Sequence, residues 1–118
     1  MDNLEEVKNK LLLFRKEREW KKFHKPKDLA ISLVLEANEV LEHFQWKTDE
    51  EIKKYVKEHK DEISEELADV FNWAILMAHD LKIDIIKSSL KKIDKNSKKY
   101  PVDKTKGSYK KYSELNKL

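Results

Sequence analysis

Two prolines and one glycine are the only strong backbone breakers in 118 residues, and their scarcity constrains this chain more than any other feature. Between them apolar residues recur at three- and four-residue intervals, as with Leu4, Val7, Leu11 and Phe14, which is the spacing of one helix face. No strand-like alternation, internal repeat or low-complexity segment interrupts the pattern. A first helix is predicted up to about Phe23, with Asn3 and Glu6 as a capping box, ending before "HKPKD", where Pro26 forbids continuation. Asp28 can cap a second helix reaching about Trp46, and Thr48 with Glu51 suggests a capping box for a short third helix ending near His59. A fourth covers roughly Asp61 to Lys82, and Asp84 can cap a fifth that stops before Pro101. The expected architecture is all-α: an antiparallel bundle of about four main helices plus a short one. Residues 1–118 form one domain with an irregular basic tail from about residue 101.

Charged residues make up 42% of the chain and hydrophobic ones 39%, a mixture suited to amphipathic helices with solvated faces. Without cysteine there is neither a disulfide framework nor a thiolate metal site. No signal peptide is recognisable and no apolar run nears the roughly 20 residues that span a bilayer, so a soluble, cytoplasmic protein is expected. Residues 84–118 carry eleven Lys against four acids, a balance of +7, which leaves −4 for residues 1–83. Such a tail can contact nucleic acid or hold a polyanionic small molecule, although most lysines in charge runs are simply solvated.

The stretch "LEANEVLEHFQW", residues 35–46, carries acids through apolar surroundings. At 100° per residue, Leu33, Ala37, Val40 and Phe44 share one face of the second helix, and Ile31, Leu35 and Trp46 lie roughly opposite. Glu36 and Glu39 occupy the sector between. On the fourth helix Ile63, Leu67, Val70, Ala74 and Leu81 make the core face, and Glu66 and Asp69 fall in the matching sector. Four partly buried carboxylates need neutralising. Arg15, Arg18 and the lysines offer ion pairs; alternatively, an all-oxygen cluster suits a hard divalent cation, Mg²⁺ above all. A di-iron bundle needs Glu-x-x-His, yet the residues three before His24, His43, His59 and His79 are Lys21, Val40, Val56 and Leu76. HExxH spacing, a P-loop and a glycine-rich nucleophile turn are likewise missing from the sequence.

With "EANE" (Glu36, Glu39) and "ELAD" (Glu66, Asp69), the sequence resembles the MazG-like nucleoside triphosphate pyrophosphohydrolases, and within them the dCTP pyrophosphatase branch. The stretches "FRKEREWKKFHKPKDLA", "EANEVLEHFQWK", "EELADVFNW" and "DKNSKKYPV" carry the likeness over roughly residues 14–102. Either acidic pair alone has little specificity in a Glu-rich helix; four blocks in order are specific. The resemblance implies Mg²⁺-dependent hydrolysis between the α- and β-phosphates of a (d)NTP, with dCTP or modified dCTP as substrate and Mn²⁺ able to substitute. Nucleotide-pool house-cleaning is the role such an activity serves.

By the same resemblance Glu36, Glu39, Glu66 and Asp69 are the metal ligands and catalytic groups. One of them, or Glu62 or Glu65, would orient or deprotonate the attacking water; Glu62 shares the stripe of Glu66 and Asp69, whereas Glu65 points elsewhere. Lys92, Lys95, Asn96 and Lys99 are implied for the phosphates. Trp20, His24, Trp46 and Trp73 are implied for the base, although tryptophans at helical spacing are commonly core residues. The dCTP-preferring relatives often carry Tyr where Trp73 stands, which bears on base or sugar preference. Two apolar faces on the second and fourth helices exceed what one small core absorbs, so a homo-oligomer is expected, a dimer or tetramer by the resemblance. The competing reading is a non-catalytic helical interaction module binding nucleic acid through residues 87–111; no recognised nucleic-acid motif supports it.

Overall fold

A computed structural model of the chain describes residues 3–107, and every regular element among them is helical. The helices are α1 (Asn3–Glu17), α2 (Pro26–Glu42), α3 (Asp49–Glu58), α4 (Lys60–Asp80), α5 (Ile85–Lys99) and α6 (Val102–Thr105), with a 3₁₀ turn at Lys21–Phe23. They form two compact units, residues 1–82 and 83–118.

In the first unit α4 is central: α2 packs most extensively along it, and α1 and α3 also lie against it. Leu29 of α2 is fully buried, joined in the core by Ile63, Ile75, Leu76 and Ala78 of α4. Leu29, Leu33, Glu36 and Val40 of α2, continued by His43 just past its end, form a stripe of covered positions at i, i+4, i+7, i+11 and i+14. On α4 the corresponding stripe runs through Ile63, Glu66, Val70 and Trp73. The first acid of each pair thus lies on the covered stripe, and the second, Glu39 or Asp69, is exposed. This sharpens the sequence-based sector, which treated the two acids of a pair alike. Leu67, Leu81 and Ala37, expected on core faces, are exposed instead, because the contact stripe is rotated toward the acids.

Local chemistry accounts for the boundaries. The first helix ends six residues earlier than expected, at Glu17, in a left-handed C-terminal motif. Glu19 adopts φ +54°, its N–H donates to the Lys16 carbonyl (3.0 Å), and the Trp20 N–H donates to that of Arg15 (3.1 Å). The second helix begins at Pro26, two residues before the expected cap. Proline suits a first helical turn, and Asp28 accepts from the Lys25 N–H (3.3 Å) as the third helical residue. At α3 the expected capping box is formed: the Glu51 N–H donates to Thr48 Oγ1 (3.2 Å) and the Thr48 N–H to Glu51 Oε1 (3.3 Å). Thr48→Ala is expected to cost about 1 kcal/mol, read as a lower midpoint in urea unfolding.

In the second unit Asp84 caps α5 by accepting from the Lys87 N–H (3.1 Å). Ile86, Leu90 and Ile93 share one face of α5 at i, i+4 and i+7, and all three are exposed. The tail expected to be irregular from residue 101 contains the short α6, whose Lys106 N–H returns to the Val102 carbonyl (3.0 Å). The remainder of that tail lies outside the described residues. Among the described residues no helix is long and apolar enough to cross a membrane.

Candidate active site

Packing α2 on α4 brings the acidic pairs into one another's field. Glu36 is half-buried, and its Oε2 is shielded from solvent with no hydrogen-bond partner. Its carboxyl pKa is raised above the ordinary value, first by burial, then by hydrogen-bonding proximity to Glu39 and by the charges of Glu39, Asp69 and Glu66. Glu66 is engaged differently, since its Oε2 contacts Nε2 of the buried His43. Among the described residues no three His, Asp or Glu side chains are already gathered into a ligating set.

The expected cationic partners are committed elsewhere. Arg15, only 3% exposed, forms a two-pronged pair with Asp80, Nη1 to Oδ2 and Nη2 to Oδ1, both at 2.8 Å. That pair ties α1 to the last residue of α4, and the guanidinium holds the Asp80 carboxyl below the usual range. Arg18 lies over the Phe14 ring and donates to its carbonyl. A buried, unpartnered carboxylate oxygen in an all-oxygen donor set is what a hard divalent cation would satisfy, so the residues fit one.

A cavity of about 490 Å³ adjoins these acids, lined by Trp20, His24, Asp69, Asn72 and Trp73 together with residues of α1 and Leu76. Its size is that of a small-ligand site. Three of the four residues suggested for the base, Trp20, His24 and Trp73, therefore share one cavity with Asp69. His24 meets the Trp73 ring edge-on with centroids 5.3 Å apart, and its Nδ1 is buried without a partner. Burial, then the charge of Arg15, lowers the His24 pKa against the opposing pull of Asp80 and Asp28. The neutral ring therefore prevails near pH 7, with a nitrogen free to accept or donate.

Trp46 does not line this cavity; it stands 92% exposed beyond α2 with φ +66°. Lys92, Lys95, Asn96 and Lys99 all lie on α5, in the second unit. Lys92, Lys95 and Asn96 are exposed and Lys99 is half-buried. Sequence reasoning missed Asn72, His43 and Tyr55. Asn72 stands three residues after Asp69 in the otherwise apolar "VFNWAILMA", and that isolated polarity is a signal that could have found it.

An all-α chain whose two main packed helices converge acids beside an aromatic cavity defines a class of helical, acid-centred ligand site. Comparison with known proteins places the chain more narrowly. The model of the MazG-like family matches residues 31–115. The dCTP pyrophosphatase 1 proteins of Bos taurus and Homo sapiens are each 35% identical to it over 114 residues. Those matches cover 95% of this chain and 68% and 67% of the respective relatives. A crystal structure of a pyrophosphatase from Archaeoglobus fulgidus DSM 4304 superposes with a TM-score of 0.81 at 36% identity, covering 86% of this chain and 94% of that one. The chain belongs to the MazG-like family.

Proposed function

We propose that the protein is a nucleotide pyrophosphohydrolase that uses Mg²⁺ to cleave a (d)NTP, dCTP or a modified dCTP first, to the monophosphate and pyrophosphate. The relatives' names support the class of activity. The observation that carries the site is the buried, unpartnered Glu36 Oε2, set in the field of three further acids and beside a cavity that Asp69 shares with two tryptophans.

In this reading Trp20 and Trp73 hold the base between aromatic surfaces. His24, kept neutral, hydrogen-bonds the edge of the base or a phosphate through its free nitrogen. Asp69 stands at the boundary between base cavity and acids, so the triphosphate extends from the cavity toward Glu36, Glu39 and Glu66. These four carboxylates would hold the cation, which when bound supplies charge neutralisation at the phosphates and activation of water. A carboxylate of this set, or Glu62 beside it, orients the water that attacks between the α- and β-phosphates. The family resemblance alone assigns Lys92, Lys95, Asn96 and Lys99 to the phosphates.

The chain works as a dimer or tetramer in the same reading. Val34 and Leu35 on α2 and Leu67 and Phe71 on α4 are all more than half exposed, a surface one chain leaves uncovered.

A screen of standard and 5-modified dNTPs and NTPs with pyrophosphate detection tests the proposal. Equimolar monophosphate and pyrophosphate are expected, fastest from dCTP or a 5-modified dCTP, and abolished by chelator. Orthophosphate as the product overturns it, as does salt-sensitive binding to random DNA with no nucleotide hydrolysed.

A further inference from the structure

Of the four acids, Glu66 has a feature the others lack: a buried imidazole partner that is itself anchored. His43 ends α2 on the covered stripe, seven residues beyond Glu36, and is 8% exposed. Its Nε2 meets Glu66 Oε2, and its Nδ1 lies 2.6 Å from the Tyr55 hydroxyl of α3. Tyr55 is fixed in turn. Its ring stacks on His59 with centroids 4.0 Å apart and planes 15° from parallel, the Lys47 ammonium lies 4.2 Å from the ring centroid, and its carbonyl accepts from His59 Nδ1 at 3.1 Å. A relay from α3 through His43 thus ends on one oxygen of one acid of α4.

The direction of the hydrogen bond at Glu66 is determined by what each group can do. An ionised carboxylate only accepts, so Nε2 carries the proton and donates to Glu66. The Tyr55 hydroxyl can donate to Nδ1 or accept from it, so it holds the ring in either case. Glu66 is left with one oxygen occupied and the other unconstrained by this bond.

We infer that His43, held by Tyr55, is a positioning residue for Glu66. It presents the second carboxylate oxygen toward Glu36 and Asp69 in the orientation a divalent cation needs. The inference rests on the reading of Glu66 as a metal ligand. Removing partners that orient ligands weakens metal binding by about 10–100-fold in metal sites generally. His43 touches neither nucleotide nor cation and is not a catalytic residue.

Mn²⁺ titration of the intact protein by electron paramagnetic resonance, without nucleotide, provides a readout independent of turnover. His43→Leu, which keeps the bulk and the apolar contacts, is expected to weaken Mn²⁺ binding about 10–100-fold with helicity unchanged. His43→Gln, whose amide N–H can donate to Glu66, should recover most of that loss, whereas a purely packing role would favour Leu over Gln. In turnover assays the Mg²⁺ concentration for half-activation should rise with His43→Leu, while kcat at saturating Mg²⁺ falls far less. Wild-type Mn²⁺ affinity in a folded His43→Leu protein, alongside loss of binding in Glu66→Gln, overturns the inference and leaves the ligand reading standing. Wild-type affinity in Glu66→Gln overturns both. Should His43→Leu fail to fold, Tyr55→Phe decides: a severalfold weaker affinity supports the inference, and an unchanged one overturns it.

Discussion

Glu36→Gln and Asp69→Asn are each expected to lower pyrophosphate release by about a hundredfold or more while leaving helicity near that of the parent protein. The two substitutions remove one negative charge each without changing side-chain volume, so a loss of turnover cannot be ascribed to packing. Their effects on stability should separate them from ordinary core damage. Glu36 is pushed toward its neutral form by burial and by Glu39, Asp69 and Glu66, so replacing it with a neutral amide relieves repulsion in the metal-free chain. The Glu36→Gln protein should therefore unfold at the same temperature or higher than the parent in chelator. Saturating Mg²⁺ tells the opposite story. At a hundred times its dissociation constant, a cation bound only by the folded state adds about 2.7 kcal/mol, which the parent should show and the variant should largely lack. Full activity in both variants would overturn the site.

The largest effect on folding is expected at the other end of α4. Asp80→Asn strands the guanidinium, whose side chain is 4% exposed, and Arg15→Ala leaves the 10% exposed Asp80 with only the Lys21 ammonium at 4.0 Å. Breaking such a pair from one side costs about 3–5 kcal/mol. Arg15→Lys should recover only part of that loss, because an ammonium cannot reproduce the two parallel bonds. The pH dependence follows from the lowered Asp80 pKa, caused first by the Arg15 hydrogen bonds and opposed by burial. A carboxylate whose folded pKa lies below its unfolded value, near ~3.9, contributes fully above that value. Its contribution is lost as pH falls through the folded value. The gap in melting temperature between Asp80→Asn and the parent should thus be wide at pH 7 and narrow progressively in acid. A gap that stays constant from pH 7 to pH 3 would show that the pair acts through packing alone.

Much of the helical layout was legible because the breakers are so few. Pro26, Pro101, Thr48 with Glu51, and Asp84 mark places where the backbone's unpaired groups must be met locally, and those residues carry the chemistry to meet them. The end of α1 was harder to read, because Glu19 takes a left-handed conformation that its side chain does nothing to advertise. Glu36 and Glu66 stood out as acids in apolar surroundings, but helical angles alone could not show that they, and not Glu39 and Asp69, lie on the covered stripes. Which stripe is covered depends on how α2 rolls against α4, and that is settled by packing across the whole interface. Arg15 shows the same limit. From its spacing it was one of several cations near the acids; its commitment to Asp80, 65 residues away, is a tertiary choice. His43 and Tyr55 were invisible for a related reason, because a hydrogen-bond relay across three helices leaves no local spacing in the sequence.

Trp46 gives the protein a built-in optical asymmetry. Trp20 and Trp73 both line the cavity, whereas the indole of Trp46 is almost wholly in solvent. Excited indoles relax with their surroundings, so Trp46 is a water-relaxed, red-emitting fluorophore, the half-buried Trp73 emits further to the blue, and Trp20, 44% exposed, lies between them. A charged collisional quencher reaches Trp46 first, then Trp20, and leaves Trp73 to report on what enters the cavity. Any surface that comes to rest on Trp46 has its own spectral signature, distinct from that of the cavity, without a label being attached.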